Sequence, residues 1–171
     1  MTPDQLTFRN PLTTTSVDAC LAALAADWPK DLVARVFDVG CGNGETLARL
    51  RELRHEQGAA DCLVLGVDPD GAALARAALR HAALPAAAIE EARWEAHDWA
   101  PDLAQDGPWQ AAFCLGSRHA FGNEADARDS MLHDLKQSLD TDGRLLIADG
   151  YWRVDPSPEY LDATGMDADE L

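Results

Sequence analysis

The sequence predicts an α/β fold with a doubly wound, mostly parallel sheet. Short apolar runs alternate along the chain with longer segments of helical periodicity, which is the pattern of successive βαβ units. One of these runs, 62–67, is apolar almost throughout, as expected of a strand that helices cover on both faces. A glycine-rich turn and several polar residues directly follow predicted strands, and doubly wound sheets bind ligands at that edge.

The N-terminal part of the chain is predicted to contain an irregular arm, one helix and one strand. The arm covers 1–15, and Ser16 behind it is the expected N-cap, because its hydroxyl can accept a hydrogen bond from a free backbone N–H. The helix is indicated by five residues at helical spacing: Val17, Cys20, Leu21, Leu24 and Trp28. The first strand is predicted over 34–39.

The middle of the chain alternates helix and strand. A helix over 45–57 carries a stripe of leucines on one face. After the strand over 62–67, an alanine-rich helix covers 70–84. The next segment, 86–91, fits a loop or a helix equally well, and 92–97 indicates a third strand only weakly.

The last predicted elements are two strands with a helix between them. A strand over 109–115 precedes a helix over 123–139. The inward stripe of this helix has four members: Met131, Leu132, Leu135 and Leu139. A turn over 141–143 then leads into a fifth strand over 144–149.

Length and composition describe one soluble globular domain over 1–171. A formal net charge of −16 repels phosphate backbones and anionic lipids, so we expect no nucleic-acid partner and no membrane association. No apolar run approaches the roughly 20 residues that span a bilayer, and no secretory signal is visible, so the expected location is the cytoplasm. The cysteines are spaced too widely for a zinc knuckle or a disulfide framework, so we expect reduced thiols and no metal.

A glycine-rich turn follows the first predicted strand and opens the next helix. Residues 38–44 read Asp-Val-Gly-Cys-Gly-Asn-Gly, and the glycines allow a tight bend whose backbone N–H groups can approach a ligand closely. A dinucleotide-binding turn would have its third glycine at position 45, where this chain has Glu45. We therefore expect a ligand without a pyrophosphate, whose amino-acid end meets the acid and the backbone together.

Asp68 ends the second predicted strand and is the natural partner of this turn. A carboxylate at this place can accept hydrogen bonds from both hydroxyls of a ribose. Pro69 beside it offers a flat apolar contact for an adenine face. Together with the glycine-rich turn, these residues predict a nucleoside-type ligand site.

At these residues the chain resembles the class I S-adenosylmethionine-dependent methyltransferases, which have a Rossmann-like core. Residues 36–44 are similar to the first motif of that family, and 65–68 are similar to the second. The resemblance implies S-adenosyl-L-methionine as cofactor and S-adenosyl-L-homocysteine as product, with Asp98 or Trp99 beside the adenine. The expected cofactor-binding residues are Asp38, Gly40, Cys41, Gly42, Asn43, Gly44, Asp68, Pro69, Asp98, Trp99, Leu115 and Gly116.

The C-terminal part of the chain departs from the pattern of that family. Residues 114–122 and 149–152 still resemble a bacterial group of small methyltransferases. The family usually continues with a helix and an antiparallel strand pair, whereas 153–171 here is a short acidic tail. We therefore expect this strand pair to be missing, through truncation or natural shortening. A homodimer is one way to cover the sheet edge that would then be exposed.

Methyl transfer requires the protein to position the acceptor and, for a weak nucleophile, to remove a proton. His119 is the leading candidate for the base, and Tyr151 is a second candidate catalytic residue. Ser117, Asp149 and Trp152 are further polar or aromatic groups at the ends of strands four and five. The Asn/Asp-Pro-Pro-aromatic signature of amino-methyltransferases is absent after strand four, so a small-molecule acceptor is favoured.

Two other functions stay open from the sequence. One is a catalytically inactive or truncated module that only binds S-adenosylmethionine. The other is a nicotinamide-dependent oxidoreductase, which Glu45 opposes. In a purely structural interpretation, His119 holds its own loop in place and Tyr151 and Trp152 belong to the core.

Overall fold

A computed structural model of the protein describes residues 12–84, 92–96, 107–122 and 127–149. The strands in this part of the chain are β1 (Arg35–Val39), β2 (Leu63–Val67), β3 (Ala92–Glu95), β4 (Trp109–Leu115) and β5 (Leu139–Ala148). The helices are α1 (Thr14–Leu24), α2 (Glu45–Glu56), α3 (Gly71–Ala82) and α4 (Ala127–Ser138). A 3-10 turn, Arg118–Phe121, follows β4.

The strands form one five-stranded sheet in the order β3-β2-β1-β4-β5, and every described pairing is parallel. β1 lies in the centre, where Val36 pairs with Val64 on one side and with Ala111 on the other. From β1 the chain adds β2 and then β3 on one side of the sheet. It then returns to the other side of β1 and adds β4 and β5 there. This confirms the predicted doubly wound sheet, and ligands bind such sheets where the winding reverses, here between β1 and β4.

Two apolar clusters cover the two faces of the sheet. Successive residues of a strand point to opposite faces, so Val36 belongs to one cluster and Phe37 to the other. Leu21 of α1 and Leu47 of α2 pack on the Val36 face. Leu135 of α4 packs on the Phe37 face. Helices on both faces explain why β1, β2 and β4 are almost fully buried.

The first helix corrects two details of the sequence prediction. Its N-cap is Thr13, not Ser16, because the Thr13 hydroxyl accepts a hydrogen bond from the Ser16 backbone N–H at 3.2 Å. Cys20, predicted on the inward stripe, is exposed. In α4, Leu132 is likewise 36% exposed instead of buried. Both residues stand next to a buried neighbour, and the helix rotation that buries the neighbour turns them toward solvent.

β5 begins at Leu139, five residues before the predicted strand. Leu139 pairs with Trp109 of β4, whereas Arg144 already pairs with Ala111, so the register shifts between these two pairs. The predicted turn over 141–143 lies inside this irregularity. A Cβ on Gly143 would lie 2.7 Å from the Leu139 Cβ, which shows how tightly the chain folds there. The strand therefore pairs on both sides of a local bulge.

β5 is the last strand of the described sheet, and its residues 144–148 are only half-buried. The described ranges contain no antiparallel strand pair, and 150–171 lies outside them. A homodimer over this edge stays a prediction. In the part of the chain that is described, no helix combines the length and the apolar character needed to cross a membrane.

Candidate functional site

A cleft of ≈ 320 Å³ opens at the carboxyl ends of β1, β2 and β4. Its volume lies at the lower end of the range of small-molecule pockets. The described residues that line it are Asp38, Gly40, Cys41, Gly42, Asn43, Glu45, Thr46, Asp68, Pro69, Asp70, Leu115, Gly116, Ser117, His119 and Ala120. The glycine-rich turn and Asp68 therefore share one cavity, as the sequence predicted.

The glycine-rich turn, residues 38–44, bends tightly against the end of β2. The backbone N–H groups of Gly40 and Cys41 both donate to the Val67 carbonyl, at 2.9 and 3.0 Å. Gly40 has a φ of 71°, and a Cβ there would lie 1.9 Å from the Ser117 Oγ. Only glycine fits this contact, because a side chain would overlap Ser117 and strain the backbone. The bend thus brings the ends of β1, β2 and β4 together.

Asp68 connects the glycine-rich turn to the start of α3. Its Oδ2 accepts a hydrogen bond from the Gly42 N–H at 2.8 Å, and its Oδ1 accepts one from the Asp70 N–H at 2.9 Å. Its carboxylate therefore turns toward the cleft and not toward bulk solvent. A carboxylate has about four acceptor positions, so two backbone donors leave room for further donors from a ligand.

Asp38 is the least solvated acid of the cleft, with 2% of its surface exposed. Within the described residues its Oδ1 is buried without a hydrogen-bond partner. Burial, reinforced by the nearby charge of Asp68, raises the pKa of the Asp38 carboxyl to about 8. A buried acceptor without a partner costs stability, and a ligand that supplies a donor or a positive charge would remove that cost.

We expect the contribution of Asp38 to the stability of the ligand-free protein to fall as the pH rises from about 4 to about 8. The Asp38 pKa of about 8 lies above the ordinary value of 3.8, so the folded state holds this proton more tightly than the unfolded state in that window. Asp38→Asn removes the titration and with it the buried charge, so its unfolding free energy should gain on that of the wild type by roughly 1–3 kcal/mol between pH 5 and pH 8, the cost of an unpaired buried group.

Urea unfolding at pH 5, 6.5 and 8 measures this difference. His81, whose pKa burial lowers to about 4, contributes the opposite trend, with stability lost as the pH falls below 6.5. That contribution cancels when the wild type is compared with Asp38→Asn at each pH. Parallel pH profiles of the two proteins would contradict the raised pKa of Asp38.

The end of β4 forms a further part of the cleft wall. The Gly116 N–H donates to the Ala148 carbonyl at 2.7 Å, which holds this wall to the end of β5. His119 lines the cleft from the exposed 3-10 turn. Asp149, a candidate from the sequence, instead forms an ion pair with Arg118, with 3.4 Å between Oδ2 and Nε, and does not line the cleft.

The structure adds four lining residues that the sequence analysis assigned neither to the cofactor nor to catalysis: Glu45, Thr46, Asp70 and Ala120. Each follows closely on a predicted site residue, and that proximity is the only signal that could have found them. The Glu45 carboxylate accepts a hydrogen bond from Arg80 Nε at 2.8 Å, and Arg80 also binds Glu52. Glu45 thus lines the cleft as a partly neutralised charge.

Most predicted cofactor-binding residues in the described ranges line the cleft. Gly44 is the exception, because it is buried behind the turn, where a Cβ would lie 2.8 Å from both the Ala77 Cβ and the Trp94 ring. Asp98, Trp99 and Tyr151 lie outside the described residues. Their predicted roles, and that of Trp152, stay predictions.

A family model described as a methyltransferase domain matches residues 37–145 of the chain. Comparison with curated proteins gives no match.

Solved structures with the same fold include three bacterial proteins. One is a SAM-dependent methyltransferase from Thiobacillus denitrificans in complex with S-adenosyl-L-homocysteine, with a TM-score of 0.67, 24% identity, and coverage of 95% of this chain and 59% of that chain. Another is a SAM-dependent methyltransferase from Geobacter sulfurreducens, also in complex with S-adenosyl-L-homocysteine. Its TM-score is 0.67 at 24% identity, and the match covers 94% of this chain and 58% of that chain. The third is YjhP from E. coli, with a TM-score of 0.69 at 24% identity and coverage of 96% of this chain and 60% of that chain. The chain thus spans about three fifths of the length of these proteins.

Proposed function

This chain belongs to the S-adenosylmethionine-dependent methyltransferase family, and from that premise we propose that it transfers a methyl group to a small-molecule acceptor. Family membership overturns the nicotinamide-dependent alternative. One geometric observation supports the proposal most. The glycine-rich turn and Asp68 line the same cleft and are in direct contact, with 2.8 Å between the Gly42 nitrogen and Asp68 Oδ2.

The residues around this contact have distinct proposed roles. Asp38 and the turn over 40–43 would hold the amino-acid end of the cofactor, because these residues line the cleft together and Asp38 has a buried oxygen without a partner among the described residues. Asp68 would accept the hydroxyls of the ribose, and Pro69, which is exposed beside it, would contact the adenine. Leu115 and Gly116 would close the cleft from the side of β4.

The bound cofactor supplies a methyl group that is already activated on a sulfonium. The chain then has to place the nucleophile of the acceptor in line and keep water away. His119 lines the same cleft as the glycine-rich turn and would take the proton of a weakly nucleophilic acceptor.

The charge of the cleft supports a small acceptor without phosphate groups. Three acidic residues besides the largely protonated Asp38 are among the described residues that line it: Glu45, Asp68 and Asp70. No lysine or arginine is among those lining residues. The net charge of −16 on the whole chain adds to the same negative field. A polyanionic acceptor such as a nucleic acid would therefore be repelled.

Calorimetric titration with S-adenosyl-L-homocysteine tests the cofactor part of the proposal, with NAD⁺ as the control ligand. Saturable binding of the first and none of the second supports it. A donor with a labelled methyl group, incubated with a panel of small alcohols, amines, thiols and carbon acids, then tests the transfer. Binding without turnover on every acceptor would favour the inactive binding module, and absence of binding would refute both.

A further inference from the structure

A buried histidine lies behind the glycine-rich turn, on the side away from the cleft. His81, in the last turn of α3, is only 3% exposed. Its Nε2 lies 3.0 Å from the Gly44 carbonyl oxygen, and its Nδ1 lies 3.1 Å from Arg51 Nη1. Both ring nitrogens are therefore engaged, one by the turn and one by α2.

The chemistry of the two partners determines the tautomer of the ring. A guanidinium can only donate, so the His81 Nδ1 must accept from Arg51. The proton of the neutral ring then lies on Nε2, which donates to the Gly44 carbonyl. Burial, together with the positive charge of Arg51, lowers the pKa of His81 to about 4, so the ring keeps this form near neutral pH.

Arg51 is itself held in one position. It is 2% exposed and donates from Nε to Asp61 Oδ1 at 2.9 Å, and from Nη2 to Asp61 Oδ2. Asp61 Oδ1 also accepts from the Cys62 N–H at 2.7 Å, directly before β2. The chain of contacts thus runs from the start of β2 through Arg51 and His81 to the turn.

The Gly44 carbonyl is the point where this chain of contacts meets the turn. It accepts from the Ala48 N–H at 3.0 Å as well as from His81, so both of its lone pairs are engaged. The Trp94 ring packs edge-on against His81, with 4.7 Å between the ring centroids, and closes the space behind Gly44. Gly44 ends the turn and precedes the first residue of α2.

We infer that His81 is a positioning residue for cofactor binding: it holds the Gly44 carbonyl and thereby keeps the glycine-rich turn in the shape that meets Asp68. The inference rests on the proposed function for its ligand, but the hold on the turn is a property of the protein alone. His81 does not line the cleft, so it acts through the backbone of the turn.

Two substitutions separate the two contacts of His81. The amide nitrogen of Gln reaches the place of Nε2, so His81→Gln keeps a donor to Gly44. The amide of Asn reaches only the place of Nδ1, so His81→Asn keeps a partner for Arg51 and loses the donor to Gly44. We expect His81→Asn to weaken binding of S-adenosyl-L-homocysteine about tenfold, as for one lost buried hydrogen bond, and His81→Gln to stay within about threefold of the wild type.

Amide hydrogen exchange of the ligand-free protein gives a second readout. In His81→Asn the Gly42 and Gly44 amides should exchange about tenfold faster, while those of Ala112 and Phe113 in β4 keep the wild-type rate. Arg54→Met is the matched control. Arg54 is fully buried on α2, the helix that also carries Arg51, but it binds the carbonyls of Pro29 and Leu32. Its loss should therefore lower the stability of the protein and leave the turn unchanged.

The outcomes distinguish the inference from the proposed function. If His81→Asn binds S-adenosyl-L-homocysteine as tightly as the wild type, or exchanges Gly42 and Gly44 at the wild-type rate, His81 serves only the stability of the fold and the inference is overturned. If the wild type does not bind S-adenosyl-L-homocysteine while His81→Asn accelerates exchange in the turn, the proposed function fails and the hold of His81 on the turn is supported.

Discussion

His119→Ala is expected to lower kcat at least about 100-fold, the lower end of the range for loss of a general base. The reason is its place among the residues that line the cleft, where an acceptor would lose its proton. Because the side chain is exposed at the 3-10 turn, alanine should neither unfold the protein nor weaken binding of S-adenosyl-L-homocysteine. Steady-state rates with the best acceptor of the panel measure the effect.

His133→Ala is the matched control for this prediction. His133 is also an exposed histidine, but it lies on α4, where it contacts Gln137 and does not line the cleft. Its removal should leave kcat at the wild-type value. A His119→Ala protein with wild-type kcat would show that the acceptor needs no base or takes it from another residue. A loss of cofactor affinity in His119→Ala would instead place the histidine at the cofactor.

Asp68→Ala should weaken binding of S-adenosyl-L-homocysteine by about 1.5–3 kcal/mol, the range for hydrogen bonds to a charged group. This corresponds to about 10- to 150-fold in Kd. The carboxylate has two proposed tasks, since it would accept the ribose hydroxyls while it already accepts from the Gly42 and Asp70 N–H groups. Calorimetric titration of the folded variant gives the loss directly.

Asp68→Asn separates the charge from the shape of the site. Asn keeps one acceptor oxygen for a backbone N–H, so the turn should keep its position while the second acceptor and the charge are lost. Its affinity should lie between those of the wild type and Asp68→Ala. Asp129→Ala, which removes an exposed carboxylate on α4, serves as the control for net charge and should bind like the wild type. Equal affinity of all four proteins would exclude Asp68 from the cofactor site.

The sheet and the cofactor motifs could be predicted from the sequence because their signals are contiguous. β2 is a continuous apolar run, β4 is apolar except for Gln110, and β4 has the predicted bounds Trp109–Leu115. The glycines over 40–44 and Asp68 each come directly after a strand, and parallel strands bring their carboxyl ends to one edge of the sheet. A local pattern and a rule of topology were therefore enough to place Gly42 and Asp68 in one cleft.

The details that the sequence missed depend on which surface a helix turns toward its neighbours. Thr13 is the N-cap in place of Ser16. Leu132 and Cys20 face solvent because a helix buries only part of a stripe of apolar residues. β5 starts early because Leu139 finds a partner in β4 before the bulge. Helical spacing does not contain this information, since several rotations and starting points satisfy the same pattern.

The sequence by itself determined the fold class, the glycine-rich turn and the acid that meets it. Only the tertiary structure decided the pKa values of these groups and the hydrogen bonds that hold them in place. Asp38 has a raised pKa because the fold buries it beside Asp68, and Gly44 is held because α3 brings His81 to it across 37 positions of the chain. Desolvation and hydrogen bonding depend on which atoms surround a group in space, and a sequence specifies those neighbours only after the chain has folded.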